Sequence, residues 1–329
     1  SYTSGTTGEA KGVMIRWEQI QSVIDSLSVT VQASSQDRHL SLLPLAILLE
    51  NLAGVYVSLW AGANTILPGL RAVGLVGAVG MDISTTFKAI EAYRPSTLIM
   101  MPQMLQSMTE ALQSNQFTID SLRFIALGGA PISTMLLDKA ESLNLPVYEG
   151  YGLTECASVV TLNTPTEHRK GSVGKPLPHI DLSISETGEV LVKKHVFSGY
   201  LRQTGETGQL TWLTGDLGYL DDDGYLFLTG RKRNIFITSM GRNVSPEWVE
   251  RELVTAPEII QVAVFGEARP SNTAVIVPKN GCDETQIVKA ISVINKKLPD
   301  YACVSHCVIA AEPFTPVNNQ LSGTGRNRH

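Results

Sequence analysis

Between Trp17 and about Val147 the chain alternates amphipathic helical stretches with short, almost wholly apolar runs, and this rhythm leaves few folds open. Trp17, Ile20, Val23, Ile24, Leu27 and Val31 recur at helical spacing, and the run Leu40 to Leu43 stops at Pro44. Phe87, Ala89 and Ile90 mark a second helix before Pro95, followed by the strand-like Thr97-Leu98-Ile99-Met100. Leu105, Met108 and Leu112 form another helical face, and Phe124-Ile125-Ala126-Leu127 then runs into a glycine turn. A strand buried on both faces reads as a continuous apolar run, and short connections to helices make its neighbours parallel. The expected architecture is therefore α/β, a parallel sheet with helices on both faces.

After Gly171 the texture changes to short strands separated by turn residues, which predicts a small β-rich subdomain over about 171–230. Within it Asp221-Asp222-Asp223-Gly224 reads as a hairpin turn rather than a carboxylate cluster for a metal, because strand-like residues flank it on both sides. From residue 231 to 329 a small α+β unit is expected. It has strands near Asn234–Thr238, Val262–Phe265, Ala274–Val277 and Val304–Ile309, and a helix from about Glu284 to Leu298. Ser245-Pro246-Glu247 has the order of an N-cap, a first helical proline and an acid at the positive end of the helix dipole. At 329 residues the chain is long enough for about two domains, so 1–230 and 231–329 are the natural division.

Charge bears on partners. Lys and Arg number 26 against 31 Asp and Glu, a net charge of -5, so no basic field favours nucleic acid and a bound anion must be held by local geometry. The uncharged stretch Asn51 to Leu70 contains three glycines and Pro68, which favours a buried helix and a buried strand over a membrane span. Of four cysteines, Cys303 and Cys307 flank His306 without a second ligand pair, so reduced thiols in a cytoplasmic protein are expected rather than a metal site. Association with a membrane surface stays open.

The chain opens on Thr3-Ser4-Gly5-Thr6-Thr7-Gly8-Glu9-Ala10-Lys11-Gly12. Glycines let successive N–H groups turn into one concavity, hydroxyls add donors, and Lys11 adds charge, which together suit a polyphosphate. The glycine spacing is not that of the common nucleotide-binding loop. Downstream stand Gly128-Gly129-Ala130-Pro131, Tyr151-Gly152-Leu153-Thr154-Glu155, Thr214-Gly215-Asp216, Gly230-Arg231-Lys232-Arg233-Asn234 and Ser239-Met240-Gly241-Arg242-Asn243. In this order the motifs resemble those of the acyl-adenylate-forming superfamily, which includes acyl-CoA synthetases and peptide-synthetase adenylation domains. The resemblance covers essentially the whole chain.

By that resemblance, Thr3, Ser4, Gly5, Thr6, Thr7, Gly8 and Lys11 would cradle the phosphates of ATP. Gly129 and Ala130 would line the adenine pocket, Tyr151 and Gly152 would pack against adenine, and Thr154 would donate to a phosphate. Glu155 would hold Mg2+, Asp216 and Arg231 would contact the ribose, and Arg233 would sit where a C-terminal lid domain pivots. Gly241 would let the pantetheine arm of coenzyme A pass. The implied reaction is ATP-dependent activation of a carboxylic acid to acyl-AMP, then thioester formation on coenzyme A. An adenylating module that loads an acyl carrier protein and a catalytically weak nucleotide- or acyl-binding homologue are the alternatives.

Three departures qualify the resemblance. The family carries a large segment before the opening loop, so the sequence predicts a piece of a longer enzyme, poorly active alone. Pro44-Leu45-Ala46-Ile47 places Ile47 or a neighbour where many relatives have His or an aromatic, an apolar wall that suits a fatty or other hydrophobic acid. Together with Asn243-Val244-Ser245-Pro246 it points to an enzyme similar to medium- or long-chain acyl-CoA synthetases. Arg326, in Gly323-Thr324-Gly325-Arg326, stands where the family presents a lysine to the acid and the α-phosphate. Arginine keeps the charge but offers a planar fork in place of a compact ammonium.

Overall fold

The computed structural model describes residues 1–4, 10–76, 80–114, 117–130, 132–194, 196–201, 211–315, 317–321 and 327. Its largest element is a seven-stranded sheet. In spatial order the strands are Lys175–Pro176, Ser158–Leu162, Val147–Leu153, Phe124–Leu127, Thr97–Met100, Arg38–Leu40 and Asn64–Ile66. The last five run parallel, while Ser158–Leu162 returns antiparallel beside Val147–Leu153. Two of the predicted apolar runs, Thr97–Met100 and Phe124–Leu127, form strands with the expected bounds.

Helices cover both faces. The helices Ile83–Tyr93, Pro102–Gln113 and Thr134–Ser142 bury Phe87, Ile90, Leu105, Met108 and Leu137 against Leu98, Met100, Ile125 and Leu127. On the other face, helix Trp17–Thr30 packs Val23, Ile24 and Leu27 with Val57, Phe124, Val159 and Leu162. Burying one such side chain contributes about 1.5–3 kcal/mol, so these two layers dominate the stability of this part of the chain. Local signals agree with the packing. Asp82 and Ser133 cap their helices by accepting from the N–H groups of Thr85 and Leu136, and Pro102 occupies a first-turn position where no N–H is needed.

The stretch after Glu50 differs from expectation. Glu50–Tyr56 is a π-helical segment that passes into the α-turn Val57–Trp60, and its outer face exposes Tyr56, Leu59 and Trp60. The strand that follows, Asn64–Ile66, is a half-exposed edge strand rather than a buried one. Gly54 faces a buried hydrogen-bonded pair here: a Cβ would fall 2.4 Å from His39 Nε2 and 2.8 Å from Glu50 Oε1. Among the described residues no helix is long and apolar enough to cross a membrane.

A four-stranded antiparallel sheet follows, built from Asp181–Ile184, Glu189–Lys193, Thr211–Leu220 and Leu226–Arg231. The Asp221–Gly224 segment is the tight turn between its last two strands, with the Asp221 carboxylate accepting from the N–H groups of Asp223 and Tyr225. Arg169 binds Asp221 and Asp223, so this acidic turn is already paired.

The C-terminal part has its own core of Val249, Leu253, Val262, Val264, Ile276, Ile287 and Ile291. Helices Pro246–Leu253 and Glu284–Asn295 pack on a three-stranded sheet of Ile259–Phe265, Asn272–Pro278 and Val304–Ile309. The strand expected at Asn234–Thr238 shrinks to Phe236–Ile237, paired with Asn243–Val244. Ser245 stands at the N-cap as expected, yet its hydroxyl donates to Glu247 Oε2 at 3.2 Å instead of capping an N–H group. The four cysteines are unpaired, and among the described residues no group of three or more His, Cys, Asp or Glu could hold a metal.

Candidate active site

The strand Val147–Leu153 carries the central motif out of the sheet. It ends in the single 3-10 turn Thr154–Cys156, and the chain returns through Ala157 at φ +56 and Ser158 at φ +98. Gly152 is forced by this return. A Cβ there would meet the Ser158 carbonyl oxygen at 1.6 Å and its carbon at 2.6 Å, both backbone atoms.

Beside this strand, Asp216 and Arg231 face each other in register on adjacent antiparallel strands. Arg231 Nε lies 2.8 Å from Asp216 Oδ1, and the Tyr151 hydroxyl donates to Asp216 Oδ2 at 2.8 Å. Both oxygens of this nearly buried carboxylate therefore hold protein partners. Burial, then the neighbouring Asp216 charge, keeps the Tyr151 phenol far above its ordinary range. Tyr151 thus stays a neutral donor.

A second group forms around Glu155, whose Oε1 accepts from the Tyr200 hydroxyl at 2.9 Å. Lys11 Nζ sits 5.3 Å from the centre of the Tyr200 ring, a cation–π distance. Tyr200 in turn packs edge-on against Phe197 and Trp212. The sequence reading did not single out Tyr200. Its place after Gly199 carries no charge or spacing signal, and its partner is 45 residues away in sequence.

The remaining candidates are less uniform. Thr3 pairs in register with Lys11 across the short ribbon Tyr2–Ser4 and Ala10–Gly12, whereas Gly5, Thr6, Thr7 and Gly8 lie outside the described residues. Gly129, at φ +87, lets the chain pass Met101, whose Sδ a Cβ would meet at 2.5 Å. Ala130 is half-buried, and Pro131 lies outside the described residues. Gly241, at φ +70, closes a turn through its N–H to the Thr238 carbonyl. Among the described residues no hydrogen bond joins it to the groups above. Arg326 is also outside the described residues; its neighbour Asn327 donates to Glu250 and to the Val262 carbonyl.

A cavity of about 230 Å3 begins at Gly128, Gly129 and the segment Gly150 to Thr154. It runs along the sheet face under Leu27, Leu49, Ala53 and Val57 to Thr97, Phe124, Asp37 and Arg123. Pairing in register puts Thr97 with Phe124 and Ile99 with Ala126 on this face. Ala126 and Gly128 leave room where larger side chains would fill it, and a Cβ on Gly128 would reach 3.8 Å from Leu49 Cδ2. Ile47 is part of the wall, in agreement with the apolar lining expected there. His39 is satisfied at both ring nitrogens, by Thr97 Oγ1 at 3.0 Å and Glu50 Oε1 at 2.9 Å.

Glu149, on the strand Val147–Leu153, is 4% exposed, and among the described residues its Oε2 has no hydrogen-bond partner. Burial pushes its carboxyl from the ordinary 4.5 up to about 8, against the lowering effects of the Gly171 N–H and the Arg251 charge. A carboxyl with a raised folded-state pKa contributes its full share below pH 4.5 and loses it as pH rises through about 8. Glu149→Gln is therefore expected to flatten the fall in stability between those limits. Its advantage over the parent should grow to about 4–5 kcal/mol by pH 8, read from chemical unfolding across that range.

The profile of the AMP-binding enzyme family matches residues 1–209, and that of the AMP-binding enzyme C-terminal domain matches residues 233–326. The 2-succinylbenzoate–CoA ligase of Bacillus subtilis is 31% identical over 281 residues, which is 80% of this chain and 55% of that protein. A long-chain-fatty-acid–CoA ligase of Mycobacterium bovis is 42% identical over 154 residues, 45% of this chain and 26% of that protein. The chain thus spans about half or less of the length of these curated relatives. Among solved structures, an anthranilate CoA ligase in complex with anthranoyl-AMP superposes with a TM-score of 0.84 at 22% identity, covering 100% of this chain and 65% of that one. The o-succinylbenzoate CoA synthetase of Bacillus subtilis in complex with ATP and magnesium gives 0.80 at 25% identity, covering 99% and 66%. With its motifs in family order, its architecture shared and more than half its length matched, the chain belongs to the AMP-binding enzyme family.

Proposed function

We propose that the chain takes part in ATP-dependent activation of a carboxylic acid: acyl-AMP and pyrophosphate form first, and coenzyme A then takes the acyl group. One observation carries this reading. The segment Gly150 to Thr154 lines the apolar cavity, holds Asp216 through the Tyr151 hydroxyl and runs directly into Glu155, so a nucleotide and an acid would meet at this segment.

Each group then has a task. Asp216 accepts from the two ribose hydroxyls, giving up the Tyr151 hydroxyl as it does so, and Arg231 stays paired beside it. Tyr151 offers its ring face to adenine, and Gly129 lies beside the base. The α-phosphorus receives the acid's carboxylate while Lys11 and Thr154 offset developing charge on phosphate oxygens. The cavity excludes water from the acyl half, which protects the mixed anhydride. Glu155 suits Mg2+: one carboxylate, held by Tyr200 through one oxygen, leaves the remaining hard-oxygen positions to phosphates and water. Such an ion would supply charge neutralisation for the leaving pyrophosphate. Residues 231–329 are proposed to act as the lid, with Arg326 taking the position usual for lysine and Gly241 beside the thiol's approach.

Coenzyme A is favoured over a carrier protein because the similar proteins are named CoA ligases. The acid class is proposed from the apolar lining as medium-chain or aryl. Acid-dependent exchange between ATP and pyrophosphate tests the first step. A thioester forming on carrier protein but not on coenzyme A would reverse the choice of acceptor.

A further inference from the structure

The cavity lining reaches beyond the residues that the adenylate chemistry uses. That further part lies at the N-terminal edge of the parallel strands, where Asp37, Thr97, Arg123 and Phe124 line it. There Arg123 spans the gap between the end of helix Trp17–Thr30 and the sheet. Its Nε and Nη2 donate to Asp37 Oδ1 and Oδ2, both at 2.6 Å. Its Nη1 and Nη2 donate to the carbonyls of Val31 and Gln32 at 3.0 and 3.3 Å. Asp37 also accepts from Ser96 Oγ at 2.7 Å and from the Ser34 N–H at 2.9 Å. A two-pronged arginine–carboxylate pair with these extra bonds is a rigid closure rather than a loose surface contact.

We infer that this Arg123–Asp37 closure is the stop of a length ruler for the acid's apolar body. The inference rests on the acid-activation reading, with the carboxylate at the glycine end and the tail pointing to Arg123. The strand Thr97–Met100 is four residues long. At ~3.3 Å per residue the distance along it is ~13 Å. An extended chain advances about 1.2 Å per single bond, so the ruler reads about ten to eleven carbons. Along the way the wall is apolar, and His39, satisfied on both nitrogens, asks nothing of the passing chain. Each methylene buried there multiplies affinity about fourfold. Beyond the stop, further carbons must break the ion pair, and affinity falls.

The test measures dissociation constants for saturated straight-chain acids of about six to eighteen carbons in the presence of AMP, which cannot be turned over, using the full-length protein that carries this sequence. The parent should peak at about ten carbons and lose at least about tenfold by sixteen. Arg123→Ala alone would leave Asp37 buried without its cation, so the opening variant is Arg123→Met with Asp37→Asn. It should move the peak to longer acids by about three or more carbons. Ala33 lines the same end, and Ala33→Phe, which keeps the closure intact, should move the peak shorter by about two to three carbons. Acids that bind with the same length profile in all three proteins would overturn the ruler alone. Failure of acids of every length to bind the parent would overturn the acid-activation reading together with it.

Discussion

Replacing Asp216 with alanine is expected to weaken AMP and ATP binding at least about a hundredfold while leaving the chain folded. The carboxylate is 6% exposed and sits between Arg231 Nε and the Tyr151 hydroxyl. In the proposed complex it accepts from two sugar hydroxyls, and hydrogen bonds to a charged acceptor contribute about 1.5–3 kcal/mol each. The protein's own loss is smaller. Arg231 is about one-third exposed and turns to water, and Tyr151 keeps its packing. Calorimetric titration with AMP reads the first effect and thermal unfolding the second. Asp216→Asn keeps an acceptor for Tyr151 and should fall between alanine and the parent. Wild-type affinity in the alanine variant would remove the ribose assignment.

The second large effect is structural. Gly152→Ala puts a Cβ 1.6 Å from the Ser158 carbonyl oxygen and 2.9 Å from Val159 Cα. No rotamer relieves it, since the added atom is the Cβ itself and the atoms it meets are backbone. The two strands must separate where they pair, at Gly152 and Val159. Destabilisation of more than about 3 kcal/mol is expected, a fall in Tm of about 6–12 °C. The same shift carries Tyr151 away from Asp216, so even the folded fraction should bind AMP poorly. A melting curve like the parent's would mean that the hairpin Val147–Leu162 does not depend on this close approach.

The contrast between these two residues shows what the sequence made legible. Local rules placed Thr97–Met100, Phe124–Leu127 and the helices around them, because each element buries a face that repeats within a few residues. The Asp221–Gly224 turn was equally local. Motif order supplied Tyr151, Glu155, Asp216 and Arg231 as candidates. It could not supply the bond from Tyr151 to Asp216, which joins residues 65 apart, nor the 86-residue reach from Arg123 to Asp37. Those contacts depend on which strands become neighbours, and hydrophobic periodicity does not specify that order. Tyr200 was missed for the same reason. The exposed outer face of Glu50–Trp60 was misread because an uncharged stretch need not be buried: Tyr56, Leu59 and Trp60 are apolar and face outward.

The cavity shows a further limit. In the sequence Ala126 belongs to an apolar strand run and Gly128 to the glycine turn after it. In the fold they are the missing volume that leaves a channel beside the central motif. Small residues in an apolar strand therefore bear on function when their face turns toward a helix layer that does not close the gap. Here that layer is formed by Leu27, Leu49, Ala53 and Val57.

The most direct measurement is exchange of labelled pyrophosphate into ATP by the full-length protein that carries this sequence, with and without acid, across alkyl and aryl carboxylic acids. The account predicts exchange that needs an acid, prefers acids that fill the apolar cavity, and drops at least about a hundredfold in Asp216→Ala. Tight ATP binding with no acid-dependent exchange for any acid would contradict it, and would make the site one that holds a nucleotide without activating a carboxylate.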